Sequence, residues 1–147
     1  MSNPPSQQVD ISHPQTILLV EDEQSLRTLA SVFLRRKGYR VLEASLPEQA
    51  IAISNSHEAE IQLLLTDVTL PGMNGRALAD EIQKKRTKIK VLYVSGYPEE
   101  ILQQADSPTL DNCFLEKPFT LEALAKKIRD LLDSAEDSAG AEMRVAG

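Results

Sequence analysis

The sequence predicts an α/β domain built on a doubly wound, five-stranded parallel sheet. Three observations carry that prediction. Short apolar runs recur along the chain, longer segments with helical spacing separate them, and several runs are nearly continuous in apolar residues rather than alternating. Strands buried on both faces have that composition, and strand–helix alternation makes the sheet parallel. In such sheets ligands bind at the carboxyl ends of the strands, where the strand order reverses.

The first strand is read at Ile17-Leu18-Leu19-Val20. After it, Leu26, Leu29, Ala30, Phe33 and Leu34 recur at helical spacing, and Gly38 closes that helix as a C-terminal cap. The second strand is Arg40-Val41-Leu42-Glu43-Ala44. In the following Ser45-Leu46-Pro47-Glu48, a serine and a glutamate stand three apart with a proline in the first turn. That pattern is a capping box, predicted to open a helix through Ala50, Ile51 and Ile53. The third strand is Ile61-Gln62-Leu63-Leu64-Leu65, followed by a helix over about Arg76 to Lys84. Val91-Leu92-Tyr93-Val94 is the fourth strand, with a short helix expected over about Glu99 to Gln104. Cys113-Phe114-Leu115 is the fifth. Thr120 caps the last helix, whose apolar stripe is Leu121, Leu124, Ala125, Ile128, Leu131 and Leu132.

Residues 1–15, with Pro4, Pro5 and Pro14 and no periodicity, read as a flexible leader. Residues 16–133 are the domain, and 134–147 are small and polar and read as a flexible tail.

Composition narrows the function. The chain has 147 residues, 41% hydrophobic and 26% charged, enough for one independent core. With 16 basic against 22 acidic residues, the net charge of −6 speaks against general nucleic-acid binding. No apolar run approaches the ~18 residues of a membrane span, and the polar start is not a signal peptide. A single cysteine, Cys113, excludes an internal disulfide and fits a reducing compartment. One cytoplasmic domain, binding neither membrane nor nucleic acid, is the expectation.

The strand ends carry the chemistry. Glu21 and Asp22 follow the first strand, Asp67 the third, Ser95 the fourth and Lys117 the fifth. If those strands are neighbours in that order, the five side chains converge. Three carboxylates at one site repel each other unless a cation neutralises them. All-oxygen ligation with few protein ligands suits Mg²⁺, which keeps waters and leaves positions for phosphate oxygens. A carboxylate can attack phosphorus, a nearby ammonium can stabilise the transferred group, and a hydroxyl can donate to it. Carboxylate, metal, lysine and hydroxyl together form a phosphoryl-accepting set.

At these residues the sequence resembles the receiver domains of two-component response regulators. The resemblance spans about Thr16 to Asp133 and rests on Glu21-Asp22, the run Leu65 to Gly75, Ser95-Gly96 and Lys117-Pro118. Asp67 to Gly75 fits the family pattern D-x-x-L/M-P-x-x-D/N-G. Four motifs in register on the right strands are highly specific. The resemblance implies a (βα)5, flavodoxin-like fold with strand order 2-1-3-4-5. It also implies that Asp67 is the phosphoacceptor and Asp22 a direct Mg²⁺ ligand. Glu21, where the family often has Asp, would act on the metal through water, and Thr69 would offer its main-chain carbonyl. Lys117 would pair with the phosphoryl group, Ser95 would be the switch hydroxyl, and Phe114 falls on the aromatic switch position. A cis peptide is common in the family at Lys117-Pro118. Ser95-Gly96-Tyr97 and Phe114 to Thr120 look most like receivers attached to hybrid histidine kinases. The implied donor is a histidine kinase or histidine phosphotransfer protein, and the implied output is a further protein target. A stand-alone receiver, catalysing only its own phosphorylation and dephosphorylation, is the expected function.

Other readings compete. Asp67 alone would pass as a cap for the Pro-Gly turn. Phe114 and Cys113 alone would pass as core. The basic run Lys84 to Lys90 would pass as a solvated helix end. A phosphatase of the haloacid dehalogenase type needs a second Asp two residues beyond the nucleophile, where this chain has Thr69. A serine hydrolase on Ser95 lacks the glycine of a nucleophile elbow, since residue 93 is Tyr. A receiver-fold interaction module working without phosphate is the remaining alternative.

Overall fold

The structure, a computed structural model, describes residues 14–96 and 114–146, with side chains to residue 133. In chain order the elements are β1 (Thr16–Val20), α1 (Gln24–Arg36), β2 (Arg40–Ala44), α2 (Pro47–Ser56), β3 (Leu63–Asp67), α3 (Gly75–Lys85), β4 (Lys90–Ser95), β5 (Phe114–Glu116) and α4 (Leu121–Ala146). All pairings are parallel, in the order β2-β1-β3-β4-β5. This is the flavodoxin-like arrangement predicted. The helix expected near Glu99 lies outside the described residues, as do Tyr97 and Cys113.

The near-continuous apolar strands are explained by two cores. On β1, Ile17 and Leu19 point into a layer with Ala30 and Leu34 of α1 and Leu124 and Ile128 of α4. Leu18 and Val20 point the other way, onto Ala50 of α2 and Leu78, Ala79 and Ile82 of α3. Period-two alternation therefore feeds both faces at once, and each strand must be apolar throughout. No helix among the described residues is long and apolar enough to cross a membrane.

Helix ends follow the sequence with two exceptions. Gly38 takes φ +102° just past α1, as the capping role requires. Thr120 accepts from the Ala123 N–H at 3.0 Å, and Asn74 caps α3 by accepting from Ala77 N–H at 2.8 Å. The first exception is the capping box at Ser45. The N-cap of α2 is Leu46, without a side-chain bond, and the Ser45 N–H donates to Gln49 Oε1 at 2.9 Å. Pro47 at the first helical position moves the helix start one residue on, so Gln49 rather than Glu48 reaches back. The second is the tail: the backbone of α4 stays helical to Ala146, past the boundary expected at Asp133. Alanine and glutamate in this stretch favour helix, and Gly140 costs only about 1 kcal/mol.

The basic run after α3 also departs from expectation at one member. Arg86 is half-buried and its guanidinium is engaged: it donates to Ser54 Oγ (2.9 Å), Ser54 O (2.9 Å), Ala59 O (3.0 Å) and His57 O. It closes the carboxyl end of α2, where the last carbonyls have no partner within the helix.

Candidate functional site

Sheet register alone brings the site together. Val20 pairs with Thr66, so the next residues, Glu21 and Asp67, stand side by side at the carboxyl edge of the sheet. Asp67 pairs with Val94, which puts Ser95 one step beyond; Ser95 pairs with Glu116, which puts Lys117 one step beyond. Each strand end thus hands the site one residue further along the edge.

Asp67, 8% exposed, has both carboxylate oxygens engaged. Lys117 Nζ lies 2.7 Å from Oδ2, and the Thr69 N–H donates to Oδ1 at 3.3 Å. Lys117 Nζ also lies 3.4 Å from Glu21 Oε1. Oxygens of Glu21, Asp22 and Asp67 all fall within 4.8 Å of one another, with Asp22 exposed and the other two buried. Three carboxylates against one ammonium leave about two negative charges on the cluster. That matches a divalent cation, and the oxygen-only donor set is what Mg²⁺ takes. Glu21, Asp22 and Asp67 are the side chains that would hold it.

The electrostatics follow from burial. Burial pushes the Glu21 carboxyl above the ordinary carboxylate range, and the nearby Asp67 adds to this; the Glu23 N–H (3.0 Å) and Lys117 oppose it without cancelling it. For Lys117 burial acts to lower the pKa, but the bond and charge of Asp67, with Glu21 behind them, raise it overall. Lys117 is therefore an ammonium at neutral pH.

The supporting frame explains the local motif. A Cβ on Gly75 would stand 2.1 Å from the Asp67 carbonyl oxygen, so only glycine lets α3 start this close to the acceptor strand. The Gly75 N–H donates to Val68 O at 2.7 Å. Gly72 takes φ +85° within the intervening turn. The Lys117–Pro118 peptide is cis, and the Lys117 N–H donates to Ser95 O at 2.8 Å. An open cleft of about 360 Å³ borders Lys117 beside Leu26, Pro118 and Phe119.

Every site residue named from the sequence has a described place. Glu21, Asp22, Asp67 and Lys117 come together; Ser95, fully buried, ends the adjoining strand β4. Thr69 is exposed and meets Asp67 through its N–H. Phe114 is buried opposite Tyr93, the rings stacked with centroids 5.2 Å apart. Two charged residues escaped the sequence reading. Arg27 donates to the carbonyl of Glu21 at 2.7 Å, and Glu43 of β2 faces Arg27. Glu43 is the next-to-last residue of β2, a strand whose end carries no polar residue like those of the other four. The available signal was a glutamate inside the strand, following Val41 and Leu42.

Residues 17–129 match the family model of the response regulator receiver domain, and the chain belongs to that family. The sensor kinase CckA of Brucella abortus is 35% identical over 124 residues, 84% of this chain and 13% of that kinase. The response regulator receiver protein CpdR of the same organism is 30% identical over 119 residues, 81% of this chain and 98% of CpdR. The chain spans a minor part of the larger relatives, including 31% of the cyclic di-GMP phosphodiesterase of Thermotoga maritima. The crystal structure of the receiver domain of the hybrid histidine kinase CckA superposes with a TM-score of 0.67 at 32% identity, covering 80% of this chain and 98% of that one. A response regulator receiver protein from Sinorhizobium medicae superposes at 0.73 with 27% identity, covering 84% and 98%. The likeness to hybrid-kinase receivers read from the sequence is thus found in both comparisons.

Proposed function

We propose that this receiver accepts a phosphoryl group on Asp67 from the phosphohistidine of a histidine kinase or histidine phosphotransfer protein, in a reaction that depends on Mg²⁺. The observation that carries this is the 2.7 Å contact of Lys117 Nζ with Asp67 Oδ2, beside the carboxylates of Glu21 and Asp22. An Asp67 oxygen attacks phosphorus, the P–N bond breaks, and its electron pair leaves with the imidazole, which takes up a proton. Lys117 moves from the carboxylate to the phosphoryl oxygens, and the Ser95 hydroxyl donates to them. Glu21, Asp22 and Asp67, with the Thr69 main-chain carbonyl, would hold Mg²⁺, which would supply positive charge to offset that of the phosphoryl oxygens. The cleft beside Leu26, Lys117, Pro118 and Phe119 gives the donor an approach.

Ser95 and Phe114 form the switch in this reading. Tyr93 stands two residues before Ser95 on β4 and stacks on Phe114, so movement of Ser95 is felt at that ring pair. The chain turns over no separate substrate; it catalyses its own phosphorylation and the later hydrolysis. Its setting is the cytoplasm, and its phosphorylated face is read by a protein target.

Beryllofluoride, an analogue of a phosphoryl group, tests the reading. A bound ¹⁹F resonance should appear only with Mg²⁺ present and should be absent from Asp67→Asn. A bound signal that survives in Asp67→Asn, or none in the wild type, would contradict it.

A further inference from the structure

We propose that Arg27 is a positioning residue, anchored on Glu43 of β2 and holding the main chain of the Glu21–Asp22 turn where it takes a divalent cation. The inference rests on the Mg²⁺-dependent reading of the site and assigns a role that the acidic residues themselves do not explain.

Glu21 is fixed from two sides. Its N–H donates to Ala44 O at 3.1 Å, and its carbonyl accepts from Arg27 Nη1 at 2.7 Å. The side chain of Arg27 is only 17% exposed. Behind it lies a built support. Glu43 Oε1 is 3.8 Å from Arg27 Nε, while Glu43 Oε2 accepts from Ser31 Oγ at 2.9 Å and lies 3.2 Å from Arg35 Nη2. Arg35 also donates to Val41 O at 2.9 Å. Residues 27, 31 and 35 are four apart, one stripe along α1, and all three meet the same carboxylate. Ser31 is 1% exposed and the Arg27 side chain 17%, so the amino-terminal part of this stripe faces inward, while Arg35 at its far end is half-exposed.

Two effects of Arg27 on the site have opposite signs. As a cation beside the turn that carries Glu21 and Asp22, it repels a divalent ion, although Glu43 offsets part of that charge. As the donor to Glu21 O, it fixes the turn from which two of the three acidic ligands project. Metal sites tolerate only about 0.5 Å of ligand displacement. If charge dominates, removing Arg27 tightens Mg²⁺ binding; if position dominates, it weakens it. A residue that merely docks α1 on the sheet would change the melting temperature and leave the affinity of the folded molecule alone.

The test is Mg²⁺ titration of the full chain, followed by amide NMR shifts of residues 21–23 and 67–69. Arg27→Met keeps the aliphatic stem and removes the donor; Mg²⁺ binding should weaken about tenfold, the lower end for loss of a group that orients metal ligands. Arg27→Lys restores a donor and should recover most of the affinity. Unchanged or tighter binding in Arg27→Met overturns the proposal. Should that variant fail to fold, Glu43→Gln leaves Arg27 without its anchor. Its Mg²⁺ binding should weaken several-fold, and the loss should persist at about 1 M salt, where the Debye length is about 3 Å. Unchanged affinity, or a loss that vanishes at high salt, overturns the proposal. A wild type that shows no Mg²⁺ response defeats the metal-dependent function itself, a result distinct from wild-type binding with an indifferent Arg27→Met.

Discussion

Lys117 Nζ stands 2.7 Å from Asp67 Oδ2, closing the gap between the residue that ends β3 and the one that follows β5. Strand order makes the contact: β4 separates the two strands, and the Lys117 N–H is tied to its Ser95 carbonyl at 2.8 Å. Lys117 thereby holds its ammonium where a phosphoryl group on Asp67 would bring negative charge.

Replacing Lys117 therefore acts on transfer before it acts on the fold. Lys117→Met should slow phosphorylation of Asp67 about 10²-fold, the usual loss for one preorganised charge stabiliser. The rate of labelling by acetyl phosphate at saturating Mg²⁺ measures it, and a change below threefold would remove Lys117 from the reaction.

Gly75 has the opposite character, all packing and no charge. The Cβ of Gly75→Ala would meet the Asp67 carbonyl oxygen at 2.1 Å, so β3 or α3 must move. About 3 kcal/mol of stability should be lost, the upper part of the range for overpacking. Gly72→Ala has no atom within 4 Å of the added Cβ and suffers only from φ +85°, about 1–2 kcal/mol. Urea denaturation of both variants tests the ranking.

How far the sequence could be read depends on what each feature obeys. The parallel sheet covered on both faces follows from the apolar runs, which are local in sequence; the strand order, and with it the meeting of Glu21, Asp22, Asp67 and Lys117, was implied by the resemblance that the strand-end residues carry. Arg86 could not be read this way. It sits in a run of lysines, but its partners Ser54, His57 and Ala59 come from a different connection, 27 to 32 residues earlier. Glu43 was hidden for a related reason: its three partners on α1 are set by how that helix lies on β2. The capping box at Ser45 failed by one residue, because Pro47 sets where the helix starts and Gln49 competes with Glu48 for the same N–H.

Arg86→Ala should then behave as a core change although it lies in a basic surface run. It leaves three carbonyls around the end of α2 without their donor, at about 2 kcal/mol for a charge-assisted network. Lys84→Ala, whose ammonium pairs only with exposed Glu81 at 3.0 Å, should cost under about 0.5 kcal/mol. Equal melting temperatures for the two variants would contradict the assignment.

Tyr39 gives the fold a pH dependence of known sign. Burial raises the phenol above its ordinary range, Arg129 opposes that, and Asp133 adds to it. The unfolded chain, with its phenol titrating near pH 10, then loses its proton first. With more protons bound in the folded state, stability must fall as pH rises through that region. Tyr39→Phe should lose less stability between about pH 9 and pH 11 than the wild type; parallel curves from chemical denaturation would contradict the burial argument.

Mass spectrometry of the chain after incubation with acetyl phosphate and Mg²⁺ tests the central claim most directly. The account predicts a gain of one phosphoryl group, mapped to Asp67 after borohydride trapping, lost when Mg²⁺ is chelated and absent from Asp67→Asn. An equal gain in Asp67→Asn, or a wild type that stays unmodified under these conditions, would contradict it.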